Sequence, residues 1–217
     1  MRITLPSGTP ALLHVPVAPT IGLVIAPDLF GLRPLYDDLA SRLASQWSMA
    51  VCVVEPFPGR GLPQEREPRL AVLPELDDAA NLADLEAAAD ATGAGYVGLL
   101  GFCMGGMYTF KASRSERFAR LVACYGMIRI PPAWRGPATA EPLDALAIGH
   151  AERVLAIIGD RDPYTPPADV QDLQATGVTV ARYPEAEHAF AHDPSSPRHR
   201  PHDAADAFAR TREWLLA

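Results

Sequence analysis

Continuous apolar runs alternate with amphipathic segments along most of this chain. The apolar runs are short, as is typical of strands buried on both faces of a sheet, and they occupy residues 21–26, 49–54, 96–101, 121–125, 153–158 and 178–183. Segments with helical spacing or composition separate them, at residues 35–46, 76–91, 104–113, 168–175 and 204–216. This alternation predicts an α/β fold with a mostly parallel central sheet and helices on both faces.

The N-terminus and two internal stretches have different patterns. Residues 3–5 and 12–15 predict an N-terminal hairpin. Residues 138–151 have no clear periodicity, and residues 193–202, which are rich in proline and serine, predict a loop. The 22 prolines are spread along the 217 residues, so they indicate turns and not a linker. We therefore expect a single domain over residues 1–217.

The charge and the cysteine count exclude several classes of protein. With 26 acidic and 19 basic residues, the chain carries a net charge of -7, which argues against a nucleic-acid-binding surface. No apolar stretch approaches the ~20 residues of a membrane span, and the N-terminal residues lack the apolar region of a signal peptide. The three cysteines cannot all pair with one another, which fits a reducing compartment. We expect a cytoplasmic monomer or homodimer with at least one free thiol.

The turn after the third predicted parallel strand has the pattern of a nucleophile elbow. Residues 101–106 read Gly-Phe-Cys-Met-Gly-Gly, which places Cys103 between glycines at a sharp strand-to-helix turn. A side chain in place of either flanking glycine would collide with nearby backbone. The turn would present the sulfur at a helix N-terminus, where the thiolate is favoured, and at the sheet edge where ligands bind. The alternative, a buried structural cysteine, is the role that we assign to Cys52 and Cys124.

An acid and a histidine follow later strands. Residues 159–166 read Gly-Asp-Arg-Asp-Pro-Tyr-Thr-Pro after one apolar run, and residues 185–191 read Glu-Ala-Glu-His-Ala-Phe-Ala after the last one. The order nucleophile, acid, histidine is that of α/β-hydrolases. The spacing to the flanking glycine and proline favours Asp162 as the acid, with Asp160 as the alternative, although either could simply stabilise the turn. His188 is favoured among the six histidines because it follows the acid and precedes the final helix.

These segments together resemble the dienelactone hydrolase family (carboxymethylenebutenolidases), the cysteine branch of the α/β-hydrolases. The resemblance covers residues 21–214, and residues 26–31, Ala-Pro-Asp-Leu-Phe-Gly, match the family's segment after its first parallel strand. It implies that Cys103 attacks the carbonyl carbon of a small lactone or ester, while His188, oriented by Asp162, transfers the proton. It also implies a thioester acyl-enzyme that water hydrolyses, and neither a metal nor an organic cofactor.

The resemblance implies two further groups at the site. The backbone N–H groups of Met104 and Leu29 would form an oxyanion hole, in which one donor is typically worth ~3 kcal/mol of barrier. Family members carry a glutamate that holds the resting thiol and takes part in its activation, and the matching residue here is Asp28, one methylene shorter. We expect Asp28 to serve in that role because a carboxylate at this strand end faces the same crevice. A turn residue or a helix cap is the alternative.

The family's dienelactone-cleaving members bind a substrate carboxylate with two arginines. One of them matches Arg69, for which a plain surface arginine is an equal alternative, and the position of the other holds His192. Since imidazole is a weaker anion holder than guanidinium at neutral pH, we expect an uncharged or differently shaped ester or lactone as the substrate. The aromatic residues expected to wall the pocket are Phe30, Phe57, Tyr125, Trp134, Tyr164 and Phe190.

Three other functions stay open on the sequence. A thioesterase or general esterase would use the same three residues, and a non-catalytic protein of the same fold would bind a ligand without turnover. A redox-sensing thiol would need a resolving cysteine, and none lies close to Cys103 in the sequence. The intact set of nucleophile, acid and base favours an enzyme that acts on a small molecule, with no nucleic-acid or membrane partner.

Overall fold

Eight strands form one sheet. In the computed structural model, which describes all 217 residues, the strands are β1 (Arg2–Thr4), β2 (Pro10–His14), β3 (Ile21–Ala26), β4 (Met49–Val54), β5 (Val97–Phe102), β6 (Arg120–Cys124), β7 (Val154–Gly159) and β8 (Thr179–Tyr183). Their order across the sheet is β1-β2-β4-β3-β5-β6-β7-β8. The last six strands pair in parallel, whereas β1 and β2 pair antiparallel. The predicted α/β fold with a mostly parallel sheet is confirmed.

Seven α-helices cover this sheet. They are α1 (Pro34–Trp47), α2 (Arg66–Ala71), α3 (Asp78–Ala91), α4 (Met104–Lys111), α5 (Pro142–Ile148), α6 (Pro167–Ala175) and α7 (Pro201–Leu216). Five of them correspond to the predicted helices, with ends that differ by a few residues. The helix α7 begins before the predicted start because Pro201 occupies its first turn, where the missing N–H has no helical partner to lose. No helix is both long enough and apolar enough to cross a membrane.

Two short helices lie outside the predicted pattern. The helix α2 has 6 residues and α5 has 7 residues, so neither is long enough to show a helical repeat of apolar positions. Helices of this length are not stable alone and depend on tertiary packing. The helix α5 lies within residues 138–151, the stretch without periodicity, and it buries Leu146 against the core.

The buried side chains form one layer on each face of the sheet. Because successive strand residues point to opposite faces, Leu99 belongs to one layer and Leu100 to the other. The first layer packs under α3, α4 and α6, and the second packs under α1 and α7. A strand buried on both sides reads as a continuous apolar run, which is why the pattern predicts these strands well.

The N-terminal hairpin joins the main sheet. Leu12 of β2 pairs with Val53 of β4, so the hairpin extends the sheet by two antiparallel strands at one edge. Because β3 and β5 to β8 run parallel, their carboxyl ends lie at the same edge of the sheet. The turns that follow these strands meet at that edge. These turns carry Asp28, Cys103, Tyr125 and Asp162, together with His188.

Candidate active site

Cys103 occupies a strained turn between β5 and α4. Its φ of 56° and ψ of -114° lie in a region that residues with a side chain rarely adopt. A Cβ at Gly101 would lie 2.1 Å from the carbonyl oxygen of Gly105, and a Cβ at Gly105 would lie 2.0 Å from that of Ala26. Both positions therefore exclude every other residue without a backbone shift. The tight turn holds the partly exposed Cys103 at the N-terminus of α4.

The buried Asp162 and the partly buried His188 form a hydrogen-bonded pair. Asp162 follows β7 and is 3% exposed, and its Oδ2 lies 2.8 Å from Nδ1 of His188. Its other carboxylate oxygen accepts a 2.8 Å bond from the backbone N–H of Tyr164. The second ring nitrogen of His188, Nε2, is buried and has no hydrogen-bond partner. That nitrogen is free to exchange a proton with a group in the adjoining cavity.

The electrostatic surroundings of His188 favour its protonated form. Burial on its own would lower the pKa of His188, but the negative charge of an ionised Cys103 and the bond to Asp162 raise it to about 10. Because the charge of Cys103 acts on this pKa, the sulfur and the imidazole lie close enough to interact.

Two tyrosine rings hold the imidazole of His188 edge-on. The ring of Tyr125 lies 5.4 Å from it and the ring of Tyr164 lies 4.8 Å away, both at steep angles. Tyr125 follows β6 with a φ of 42°, an uncommon value for a residue with a side chain. The two rings and the bond to Asp162 fix the plane of the imidazole, so Nε2 keeps one direction.

A cavity of about 410 Å³ opens at this point. Among its lining residues are Asp28, Leu29, Phe30, Cys103, Trp134, Tyr164, His188 and His192. Of the aromatic residues expected as walls, three line it, whereas Phe57, Tyr125 and Phe190 are buried at the molecule's core and lie outside the lining. The cavity is large enough for a small organic substrate.

Two backbone N–H groups near Cys103 donate to no protein acceptor. Met104 is the first residue of α4, so its backbone N–H has no acceptor within the helix. This N–H also makes no turn or cap bond. The N–H of Leu29, in the turn after β3, is likewise unbonded. Leu29 also lines the cavity. These are the two N–H groups that the family resemblance implies as an oxyanion hole.

Asp28 sits in a buried network that the sequence did not reveal. Its carboxylate accepts 2.6 Å and 2.7 Å bonds from the two terminal nitrogens of Arg33, a 2.9 Å bond from the N–H of Phe30, and a 2.9 Å bond from Nε2 of His192. Burial alone would raise the pKa of Asp28, but the bonds and charges of His192 and Arg33 hold it well below its usual range. Nδ1 of His192 lies 2.6 Å from the Tyr125 hydroxyl, which connects Asp28 to the tyrosine beside His188.

Arg69 and His192, the two residues expected to bind a substrate carboxylate, are both engaged elsewhere. The guanidinium of Arg69 is buried and donates to the carbonyl oxygens of Pro63, Leu62 and Leu29, so it braces the loop before α2 and lies outside the cavity lining. His192 lines the cavity, but both of its ring nitrogens are bonded to protein groups.

Two other arginines line the cavity. Arg66 at the start of α2 donates a 2.8 Å bond to the hydroxyl of Tyr164 and has no carboxylate partner, whereas Arg198 pairs with Glu187 at 3.4 Å. Arg66 lies three positions before Arg69 in the same segment, so sequence alone could not decide between them. Only the unpredicted helix α2 settles which of the two side chains faces the cavity.

The remaining candidate residues do not line the cavity. Asp160, the alternative acid, bonds to Arg182 at 2.7 Å on the surface. Cys52 and Cys124 are buried in strands, and burial raises the pKa of Cys52 to about 12 and that of Cys124 further. No group of three or more histidine, cysteine or acidic side chains is arranged to hold a metal ion.

A largely parallel sheet with a sharp, glycine-flanked strand-to-helix turn at the end of a central strand is typical of an α/β-hydrolase. A model of the dienelactone hydrolase family matches residues 9–217 of the chain. The match covers nearly the whole length, and the chain belongs to the dienelactone hydrolase family.

Curated relatives and solved structures agree with this membership. The chain is 32% identical over 162 residues to carboxymethylenebutenolidase 2 of Cupriavidus pinatubonensis, an alignment that covers 70% of this chain but only 64% of that protein, less than two thirds of its length. It is 30% identical over 207 residues to the carboxymethylenebutenolidase of Pseudomonas putida, covering 87% of this chain and 80% of that one. A candidate dienelactone hydrolase from Klebsiella pneumoniae superposes with a TM-score of 0.86 at 24% identity, over 100% of this chain and 97% of that one. At that identity the structural likeness is evidence for the fold alone.

Proposed function

We propose that this protein hydrolyses a small lactone or carboxylic ester through Cys103, His188 and Asp162, with a thioester acyl-enzyme as intermediate. The observation that carries the proposal is the buried, unbonded Nε2 of His188, whose other nitrogen is fixed by Asp162 and whose pKa responds to the charge of Cys103. A purely structural histidine would be expected to use both of its ring nitrogens. The hydrolases of the family supply the reaction class.

The reaction follows from these positions. Cys103 passes its proton from Sγ to Nε2 of His188, and the thiolate attacks the carbonyl carbon of the substrate. The carbonyl oxygen becomes an oxyanion that accepts bonds from the N–H groups of Leu29 and Met104. As the carbon–oxygen bond to the leaving group breaks, that oxygen takes the proton from Nε2, which leaves a thioester on Sγ. Water then gives a proton to Nε2 and adds to the thioester carbonyl, and the thiolate departs with the carboxylic acid released.

The cavity charge indicates where a substrate carboxylate would bind. Of the arginines in this region, Arg66 faces the cavity without a carboxylate partner, and we propose Arg66 for the contact in place of Arg69. The relatives named carboxymethylenebutenolidase support a substrate that carries such a group. His192 would then contribute through Asp28 and Tyr125 and not by direct ion pairing.

Replacement of the nucleophile tests the proposal. Cys103→Ala is expected to lower kcat by several orders of magnitude, with circular dichroism and the urea midpoint close to those of the wild type. Activity is measured on a panel of lactones, p-nitrophenyl esters and acyl thioesters, and Cys52→Ala is the matched control because Cys52 is buried in β4. A Cys103→Ala variant that keeps wild-type turnover would refute the assignment. The profile across the panel separates a lactone or ester hydrolase from a thioesterase.

A further inference from the structure

We propose that Cys103 exchanges its proton with His188 alone, and that Asp28 is a fixed anion whose charge Arg33 neutralises and whose bonds shape the turn that carries Leu29. The proposal rests on the proposed function and concerns how the same thiol is activated. It departs from the expectation that Asp28 holds the resting thiol. Asp28 and Arg33 are positioning residues in this account, because they act on Cys103 and Leu29 through the turn and the local charge.

The carboxylate of Asp28 has no acceptor site left for a thiol. An ionised carboxylate offers about four lone-pair sites. In this structure Oδ1 accepts from the N–H of Phe30 and from Arg33, and Oδ2 accepts from Arg33 and His192, at distances between 2.6 and 2.9 Å. A proton donated by Cys103 would have to displace one of these bonds. Three of them come from side chains that are themselves packed and bonded.

The packing around Arg33 keeps this arrangement in place. Its guanidinium lies 5.0 Å from the ring centre of Tyr36 and 5.4 Å from that of Phe30, so aromatic faces confine it. Tyr36 is fully buried, and its hydroxyl oxygen accepts a 2.8 Å bond from the N–H of Asp28. The backbone of Asp28 is therefore fixed by Tyr36 of α1, and its side chain by Arg33, which directly precedes that helix. A carboxylate that alternates between the thiol and another partner would have to rotate, and the bonds to Arg33 and Tyr36 prevent Asp28 from doing so.

The charges around Cys103 make His188 the remaining acceptor. Burial raises the pKa values of Tyr36 and Tyr125, so both hydroxyls stay neutral. Asp162 faces the other side of the imidazole, and His192 is bonded to Asp28 and Tyr125. At the cavity mouth, Glu187 is paired with Arg198, and Arg66 is bonded to Tyr164. Among these groups, only Nε2 of His188 is buried without a partner.

Arg33 has an electrostatic effect on the thiolate. An isolated carboxylate at the position of Asp28 would oppose a second negative charge on Cys103 in the same cavity, because like charges disfavour each other. The bidentate bond to Arg33 cancels that charge. The anion can then fix the turn through the N–H of Phe30 without opposing the thiolate. In the same turn, the N–H of Leu29 is left without a protein acceptor.

The test is the pH profile of Cys103 alkylation by iodoacetamide, with the modified residue assigned by mass spectrometry of the full-length protein. His188→Gln is expected to raise the pH of half-maximal alkylation by about one unit or more, because the proton acceptor is lost. Asp28→Asn is expected to leave that pH unchanged or to lower it, because the charge of Arg33 is then unbalanced beside the sulfur. An upward shift in Asp28→Asn equal to that in His188→Gln would overturn the proposal, since Asp28 would then be the acceptor.

A second variant keeps the test decisive if Asp28→Asn does not fold. Arg33→Gln leaves Asp28 without its counter-charge, so the pH of half-maximal alkylation is expected to rise, and Arg33→Lys is expected to restore part of the shift. Arg210→Gln, which breaks an exposed ion pair on α7, is the matched control and is expected to leave the profile unchanged. An unshifted profile in Arg33→Gln would overturn the proposal. Alkylation needs no turnover, so this result is independent of the Cys103→Ala assay, which tests the proposed function itself.

Discussion

The three cysteines of this chain differ in environment and not in chemistry. Cys52 and Cys124 are buried in strands, where burial raises the pKa of each thiol. Cys103 is partly exposed at a helix N-terminus and faces a histidine whose pKa is raised to about 10 against the lowering effect of burial. The turn that creates this difference depends on its flanking glycines. A single methyl group at either glycine would therefore disturb the turn that holds Cys103.

Gly105→Ala is expected to destabilise the protein by about 1–3 kcal/mol and to lower kcat, because the added Cβ would meet the carbonyl oxygen of Ala26 at 2.0 Å. Urea unfolding and esterase kinetics measure the two effects. Gly95→Ala is the matched control, since a Cβ at Gly95 meets no atom within 4 Å and its backbone is not left-handed. Equal stability of the two variants would contradict the steric account of the elbow.

At the scale of secondary structure, the sequence predicts the strands and the long helices because each buries a continuous or periodic apolar surface. It does not predict α2 and α5, which are too short to show a period. This matters for the site, because α2 decides that Arg66 faces the cavity while Arg69 is buried against backbone carbonyls. The family resemblance predicts that Asp162 orients His188, but no motif predicts that Asp28 bonds to Arg33 and His192.

A buried ion pair joins α3 to α4. Lys111, the only lysine in the chain, donates to both carboxylate oxygens of Asp78 at 2.9 and 2.8 Å, and Asp78 also accepts a 2.7 Å bond from the N–H of Ala140. Burial lowers the pKa of Lys111, and the bond to Asp78 opposes that effect. The pair thus connects two helices on one face of the sheet to the segment before α5.

Lys111→Met is expected to lower the free energy of unfolding by about 3 kcal/mol, because it leaves the charge of Asp78 buried without a partner. Urea denaturation followed by circular dichroism measures this change. Arg210→Met removes a cation from an exposed pair with Asp206 and is expected to cost less than about 1 kcal/mol. If the two variants lose the same stability, the buried pair does not have the structural role assigned to it.

At the scale of the whole molecule, the site is assembled from residues far apart in the sequence. Asp28 and His192 are bonded across 164 positions, and Asp162 and His188 across 26. Parallel strands bring such turns to one edge of a sheet, so their meeting can be predicted from the order of the strands. The network of Arg33, Asp28 and His192 could not be predicted in this way. Its bonds depend on the directions of individual side chains, which the apolar periodicity of the sequence does not encode.

The distribution of charge leads to a prediction about substrate choice. The chain has a net charge of -7, which repels an anionic substrate, yet Arg66 lies at the cavity without a carboxylate partner. Arg198 is already paired with Glu187, so its charge is largely offset. An anionic substrate would therefore depend on Arg66 for a local attraction that the rest of the molecule does not provide.

Arg66→Gln is expected to lower kcat/KM about fivefold for a p-nitrophenyl ester whose acyl chain ends in a carboxylate, since a partly exposed ion pair is worth up to ~1 kcal/mol. The same ester with a methyl group in place of the carboxylate is expected to be unaffected, because it carries no anion for Arg66 to attract. Added salt should reduce the difference between the two substrates in the wild type and have little effect on it in the variant. Arg210→Gln controls for the change in net charge, because that arginine lies on the exposed face of α7. Equal losses on both esters would show that Arg66 shapes the cavity and does not recognise an anion.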